Sequence, residues 1–210
     1  MRLLHEGSGE EVPADEKGVV AVVPPLPPGC MTTVWGQDER FVQTYFTSFP
    51  GKQVYTTFDW GIRDKDGYYF ILGRTDDVIN VAGHRLGTRE IEEAISAHAA
   101  IAEVAVVGVA DQLKGQMPMA FAVVKDAAKI ATPELRAALE QEVMGTVDGL
   151  LGPIARPKNV HFINQLPKTR SGKVLRRSIQ AIAEGRDPGD LTTLDDPVGI
   201  QMVKDAIAGK

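Results

Sequence analysis

The sequence predicts an α+β protein, a β-rich segment followed by a small domain of helices packed on one sheet. Three observations predict it. Short β-branched and aromatic runs bounded by turn residues fill the first third. Apolar runs of strand length, VAVVGV at 104–109 and MAFAVV at 119–124, come later. Between and after these runs, apolar residues recur at helical spacing.

The elements follow in order. Val19 to Val23 is an apolar run without helical period between Gly18 and Pro24, and reads as a buried strand. Pro24-Pro25-Leu26-Pro27-Pro28-Gly29 is a stiff surface connection. Tyr55 to Asp59 and Tyr68 to Leu72 read as strands, with turn chemistry at Asp64-Lys65-Asp66-Gly67 between them. Val78 to Val81 and a glycine-rich turn lead to a helix from Thr88, which is placed to cap it. Ile91 and Ile95 share a face of that helix, and Glu90, Glu92 and Glu93 suit its N-terminal dipole.

Val104 to Val109 and Met119 to Val124 are then central strands. Thr132-Pro133 is a cap with proline at the first helical position. The helix behind it carries a stripe of Leu135, Leu139 and Val143. Val160 to Ile163 is a strand. Val174 to Ala183 is a helix with Leu175, Ile179 and Ile182 on its buried side. The tail from Gly185 lies over the surface before a short last helix.

Composition narrows the function classes. The 210 residues are 43% hydrophobic and 24% charged, a globular mixture. A net charge of −5 argues against a general nucleic-acid binder. No apolar run approaches the ~20 residues of a membrane helix, and the N-terminus lacks the pattern of a signal peptide. The one cysteine, Cys30, excludes an intrachain disulfide and fits a reducing cytoplasmic setting.

Two motifs carry chemistry. Pro167-Lys168-Thr169-Arg170-Ser171-Gly172-Lys173 opens a stretch with five basic residues between Lys168 and Arg177 and no acid. It links a strand to a helix, so it reads as a mobile loop between fixed elements. A lysine beside Gly172 suits a phosphate or a developing negative charge. A solvated basic surface is the plain alternative. A P-loop is excluded, because that pattern needs glycine at 167 and serine or threonine at 174, where Pro167 and Val174 stand. The second motif joins Gly73-Arg74-Thr75-Asp76-Asp77 to Gly83-His84-Arg85-Leu86-Gly87. Its carboxylates fit a metal site, a hinge or a charged turn, and its glycines either turn a strand or let a ligand pass close to the backbone.

The runs YTTFDWG at 55–61, DGYYFILGRTDDVINVAGHRLGT at 66–88 and PKTRSGK at 167–173 together resemble the adenylate-forming acyl-CoA synthetases. The nearest branch is the acetyl-CoA and propionyl-CoA synthetases. The tail EGRDPGDLTTLDDP at 184–197 favours the propionate–CoA ligases, with acetate–CoA ligase as the alternative. The resemblance covers nearly the whole chain.

It implies a division into residues 1–74, the last β-subdomain of a large AMP-binding domain, residues 75–187, a mobile C-terminal α+β domain, and a tail over 188–210. Lys173 corresponds to the lysine required for adenylation. Asp59 corresponds to the aspartate that binds the nucleotide ribose, a role that suits an acceptor-only carboxylate. Arg74 and Arg85 match arginines that contact the nucleotide or its phosphates. Ala82 and Gly83 line the path of the CoA pantetheine arm, and Asp76 is the hinge. The substrates implied are a short-chain carboxylic acid, ATP with Mg2+, and CoA, with no metal held by this chain. A protein acetyltransferase and deacetylase acting on Lys173 are implied partners.

Two positions depart from the family pattern. Phe58 stands where the family places a glycine before the ribose aspartate, and Asp148 stands where an arginine helps hold CoA. No Gly/Ser/Thr-rich phosphate loop occurs in the sequence, so the large N-terminal domain is expected as a partner and the chain alone is expected to be inactive. Rival readings are a stand-alone module regulated by lysine acylation and an adenylating domain of a peptide-synthetase or luciferase-like enzyme.

Overall fold

A computed structural model describes residues 1–75 and 77–209. The chain divides into two compact units, Met1–Asp76 and Asp77–Lys210. The first contains β1 (Arg2–Leu4), β2 (Lys17–Val22), α1 (Asp38–Tyr45), β3 (Tyr55–Arg63) and β4 (Tyr69–Arg74). Its strands form an antiparallel sheet in sequence order. The VVAVV run supplies most of β2, and Val19, Val20 and Ala21 are all buried, as a continuous apolar strand requires. The β3–β4 turn forms at the expected residues: Asp64 accepts from the Tyr68 amide at 2.8 Å, and Gly67 takes φ +90°. Gly61, paired with Gly18, is closely packed: a Cβ there would meet the Val20 and Leu3 side chains at 3.0 and 3.1 Å. Neither β1 nor α1 is marked by strong periodicity; both are short and packed by tertiary contacts.

The second unit contains β5 (Val78–Val81), β6 (His84–Gly87), α2 (Thr88–Ser96), β7 (Ile101–Asp111), β8 (Gly115–Val124), α3 (Pro133–Leu151), β9 (Val160–Phe162), α4 (Arg176–Ala183) and α5 (Pro197–Ile207). The sheet runs β6-β5-β8-β7, and β9 pairs in parallel with β8. The long β7–β8 hairpin is its spine.

Helices cover both faces of this sheet. Val106, Ala120 and Ala122 pack with Ile91, Ile95, Leu139, Val143 and Val147 of α2 and α3. Ala105, Val107, Val109 and Phe121 pack with Ile179, Ile182, Ile200 and Val203 of α4 and α5. That is why both apolar runs are continuous instead of alternating. Each fully buried aliphatic side chain here stabilises the unit by roughly 1.5–3 kcal/mol relative to exposure.

Helix boundaries are set by hydrogen bonds that composition shows only in part. Thr132 caps α3 by accepting from the Leu135 amide at 3.3 Å, and Asp196 caps α5 by accepting from the Val198 amide at 2.9 Å. Thr88 does not cap α2. It is the helix's first residue and is buried, and its amide donates to the Asp77 carbonyl. Leu135 is exposed rather than part of the buried stripe of α3. Likewise α4 starts at Arg176 rather than Val174, and the amide of the preceding Leu175 donates to the Pro167 carbonyl at 3.0 Å. The tail is not merely laid over the surface. Leu191 and Leu194 pack on the core beneath α4 and α5, and Gly199 lets α5 touch Pro167, where a Cβ would come within 2.9 Å of its Cα.

Candidate functional site

The basic segment folds into a hydrogen-bonded turn between β9 and α4. Lys168 bridges Val174, the Thr169 amide donates to the Lys173 carbonyl at 2.8 Å, and the Gly172 amide donates to the Thr169 carbonyl at 2.8 Å. The Lys173 amide donates to Thr169 Oγ1 at 3.1 Å. Gly172 takes φ +83°, a conformation that glycine adopts without strain. The tail straps the turn's outer arm: the Arg170 amide donates to the Thr193 carbonyl at 3.2 Å, and the Asp195 amide donates to the Lys168 carbonyl at 2.9 Å.

Charge around the turn is sorted. Lys168 pairs with Glu103 at 2.6 Å. Arg176 pairs with Glu92 through two bonds, at 2.9 and 2.7 Å. That hydrogen-bonded pair holds the Arg176 pKa above its ordinary value. Lys173 is exposed at the turn, and among the described residues no carboxylate pairs with its amine. Of the five cations, Lys168 and Arg176 are thus neutralised anchors, and Lys173 is presented to solvent.

In the same unit, Ala82 and Gly83 form the two-residue turn between β5 and β6, with φ +50° and +87°. Both positive values are those of the tight hairpin turn that matches strand twist. The Ala82 amide is fixed by the Lys114 carbonyl at 2.8 Å, and nothing lies within 4 Å of a Cβ placed on Gly83. The strip is therefore exposed backbone. Arg85 follows on β6, paired in register with Asn80. Asp148 bonds both nitrogens of the Arg156 fork, at 2.9 Å for Nε, and this holds its carboxyl below the usual carboxylate range.

The first unit brings Asp59 and Arg74 together as register partners on β3 and β4. The Arg74 guanidinium lies 3.6 Å from the Asp59 carboxylate and donates to the Thr57 carbonyl at 2.9 Å. Phe58 takes φ +60°, in the region where a bulky residue is an outlier. A glycine would take this conformation freely; the phenylalanine instead puts its ring 5.7 Å from the Arg74 guanidinium and 5.9 Å from Tyr45. Asp76, the expected hinge, lies outside the described residues. Among the described residues no cluster of His, Cys, Asp or Glu could hold a metal ion, and no helix is long and apolar enough to cross a membrane.

Thr169, Glu92 and the strap at 193–195 are site residues that spacing does not reveal. Glu92 reads as one of three first-turn acids, and its partner lies 84 positions away. Thr169 belongs to the PKTRSGK run, but its acceptor role needs the turn closed.

Residues 90–173 match the model of the AMP-binding enzyme C-terminal domain. The chain carries an AMP-binding enzyme C-terminal domain. It is 58% identical over 207 residues to the propionate–CoA ligases of Salmonella typhimurium and Escherichia coli, covering 99% of this chain and 33% of those proteins. It is 46% identical over 199 residues to the acetyl-coenzyme A synthetase of Pyrobaculum arsenaticum, covering 95% of this chain and 28% of that protein. The chain thus spans about a third of the length of the curated relatives it matches. Among solved structures, ATP-bound MatB from Rhodopseudomonas palustris superposes with a TM-score of 0.70 at 28% identity, over 86% of this chain and 34% of that one. The anthranilate CoA ligase AuaEII superposes with the same TM-score and identity, over 88% of this chain and 33% of that one.

Proposed function

We propose that this chain is the C-terminal part of an ATP-dependent propionate–CoA ligase, working with a large N-terminal domain that supplies the adenine and acid pockets. The observation that carries the reading is the Lys173 amine, held out to solvent on a hydrogen-bonded turn while its basic neighbours Lys168 and Arg176 are neutralised. The 58% identity to propionate–CoA ligases, against 46% to an acetyl-CoA synthetase, supports propionate over acetate.

In the first half-reaction the acid's carboxylate attacks the α-phosphate of ATP, which arrives with Mg2+, and pyrophosphate leaves. Lys173 meets the charge that develops on the reacting oxygens, a contribution of about 10²–10³ in rate for one such donor. The Asp59 carboxylate accepts from the ribose hydroxyls, and Arg74 and Arg85 contact the nucleotide or its phosphates. The domain then turns about Asp76, withdrawing Lys173 and presenting Ala82 and Gly83 to the pantetheine arm. The CoA thiol, losing its proton, attacks the acyl carbonyl of acyl-AMP to form the thioester as the acyl–phosphate bond breaks and AMP leaves. Acylation of Lys173 by a protein acetyltransferase would remove its charge and stop the first step, and a deacetylase would restore it.

The test is a chimera: the Salmonella typhimurium ligase with its matching segment replaced by this chain. Lys173→Ala is expected to lower pyrophosphate release from ATP and propionate by about 10²–10³-fold, and to spare thioester formation from supplied propionyl-AMP. Equal loss of both half-reactions refutes the assignment. The 210-residue chain by itself is expected to release no pyrophosphate.

A further inference from the structure

We propose that Arg176 is a positioning residue for Lys173, acting through its fork on Glu92; the inference rests on the adenylation role proposed for that lysine. The path between the two residues is short and closed. The Lys168–Val174 bridge and the bond from the Leu175 amide to the Pro167 carbonyl zip the two arms of the turn together. Arg176 is the next residue and the first of α4. The start of α4 has no side-chain cap, so its placement comes from elsewhere.

Glu92 provides that placement. Its Oε1 accepts from Arg176 Nε at 2.9 Å and from the Val106 amide, also at 2.9 Å, while its Oε2 accepts from Arg176 Nη2 at 2.7 Å. Val106 is fully buried in β7, so the carboxylate is pinned to the core of the sheet. The Glu92 side chain is only 12% exposed and that of Arg176 31%, so solvent screens the pair poorly. A planar fork held at two points fixes direction as well as distance, which a single-point ammonium does not. The base of the lysine turn is thereby registered to α2 and β7, which carry buried core residues.

Delivery of a cation to a reacting phosphate is sensitive to misplacement on the order of 1 Å, which can cost roughly 10²-fold in rate. Thioester formation uses the opposite presentation and does not require Lys173. Loss of the anchor should therefore separate the two half-reactions, whereas general damage to the domain would lower both.

In the chimera, Arg176→Met is expected to lower adenylation about 10–100-fold at saturating ATP, with the KM for ATP and thioester formation from propionyl-AMP each within about 3-fold of the parent. Arg176→Lys, which keeps the charge but not the fork, should fall between the two. In the 210-residue chain carrying Arg176→Met, hydrogen exchange at the Gly172 and Lys173 amides should quicken at least about 10-fold, while the Ala120 amide in β8 stays protected. Equal loss of both half-reactions, no loss of either, or unchanged exchange at the turn would overturn the positioning role. If Lys173→Ala itself leaves adenylation intact, the functional reading fails first and this inference falls with it.

Discussion

Thr169 and Lys173 close the basic turn on each other. The Thr169 amide donates to the Lys173 carbonyl at 2.8 Å, and Thr169 Oγ1 accepts from the Lys173 amide at 3.1 Å. Ser171 Oγ sits 2.9 Å from the same hydroxyl. A single threonine thus satisfies the backbone of the lysine from both sides.

Thr169→Val keeps the branched shape and removes the acceptor. The bond is exposed, so water can replace it, and global stability should fall by no more than about 0.5–1.5 kcal/mol. The Lys173 amide should lose its protection locally. Hydrogen exchange measured at that amide in Thr169→Val, with Thr169→Ser as the variant that retains the hydroxyl, reads this out. Equal protection in the parent and Thr169→Val would show that the hydroxyl does not hold the turn.

The basic run and the glycine strip were legible because their chemistry is local. Runs of adjacent residues carry the lysine, the tight hairpin at 82–83 and the β3–β4 turn. The central strands were legible from their apolar runs, and an unbroken run implies cover on both faces. Which helices supply that cover was not legible, because it depends on contacts between distant segments. The closed lysine turn was hidden for a different reason. Its strap at 193–195 and its anchor at Glu92 come from distant parts of the chain, and both use groups that look ordinary in sequence. The strain at Phe58 was visible only as an unexpected residue type; its φ of +60° supplies the physical meaning.

Ala82 occupies a left-handed position, φ +50°, in the β5–β6 turn. A Cβ in this region costs roughly 1–2 kcal/mol. Glycine would remove that cost but add back unfolded-state freedom worth about 0.4–1 kcal/mol. Ala82→Gly is therefore expected to stabilise the chain by about 0.5–1 kcal/mol. Chemical denaturation of the 210-residue chain measures it. A loss of stability would mean that the alanine methyl makes a compensating contact.

His161 gives the second unit a pH dependence. Burial disfavours its charged form and pulls its pKa below 6.5, against smaller opposing effects from Glu140 and a hydrogen bond to the Ala206 carbonyl. The ring stacks on Phe121 at 5.2 Å and lines a cavity of about 390 Å³ with Arg136 and Glu140. Because the folded pKa is the lower one, the unfolded chain binds its proton first as pH falls. This contribution to stability is complete above about pH 6.5 and is lost as pH drops through that value toward the lower folded pKa. Between pH 8 and pH 5.5 the urea midpoint should therefore fall in the parent and fall less in His161→Gln, which cannot titrate. An identical fall in both would place the pH dependence on other groups.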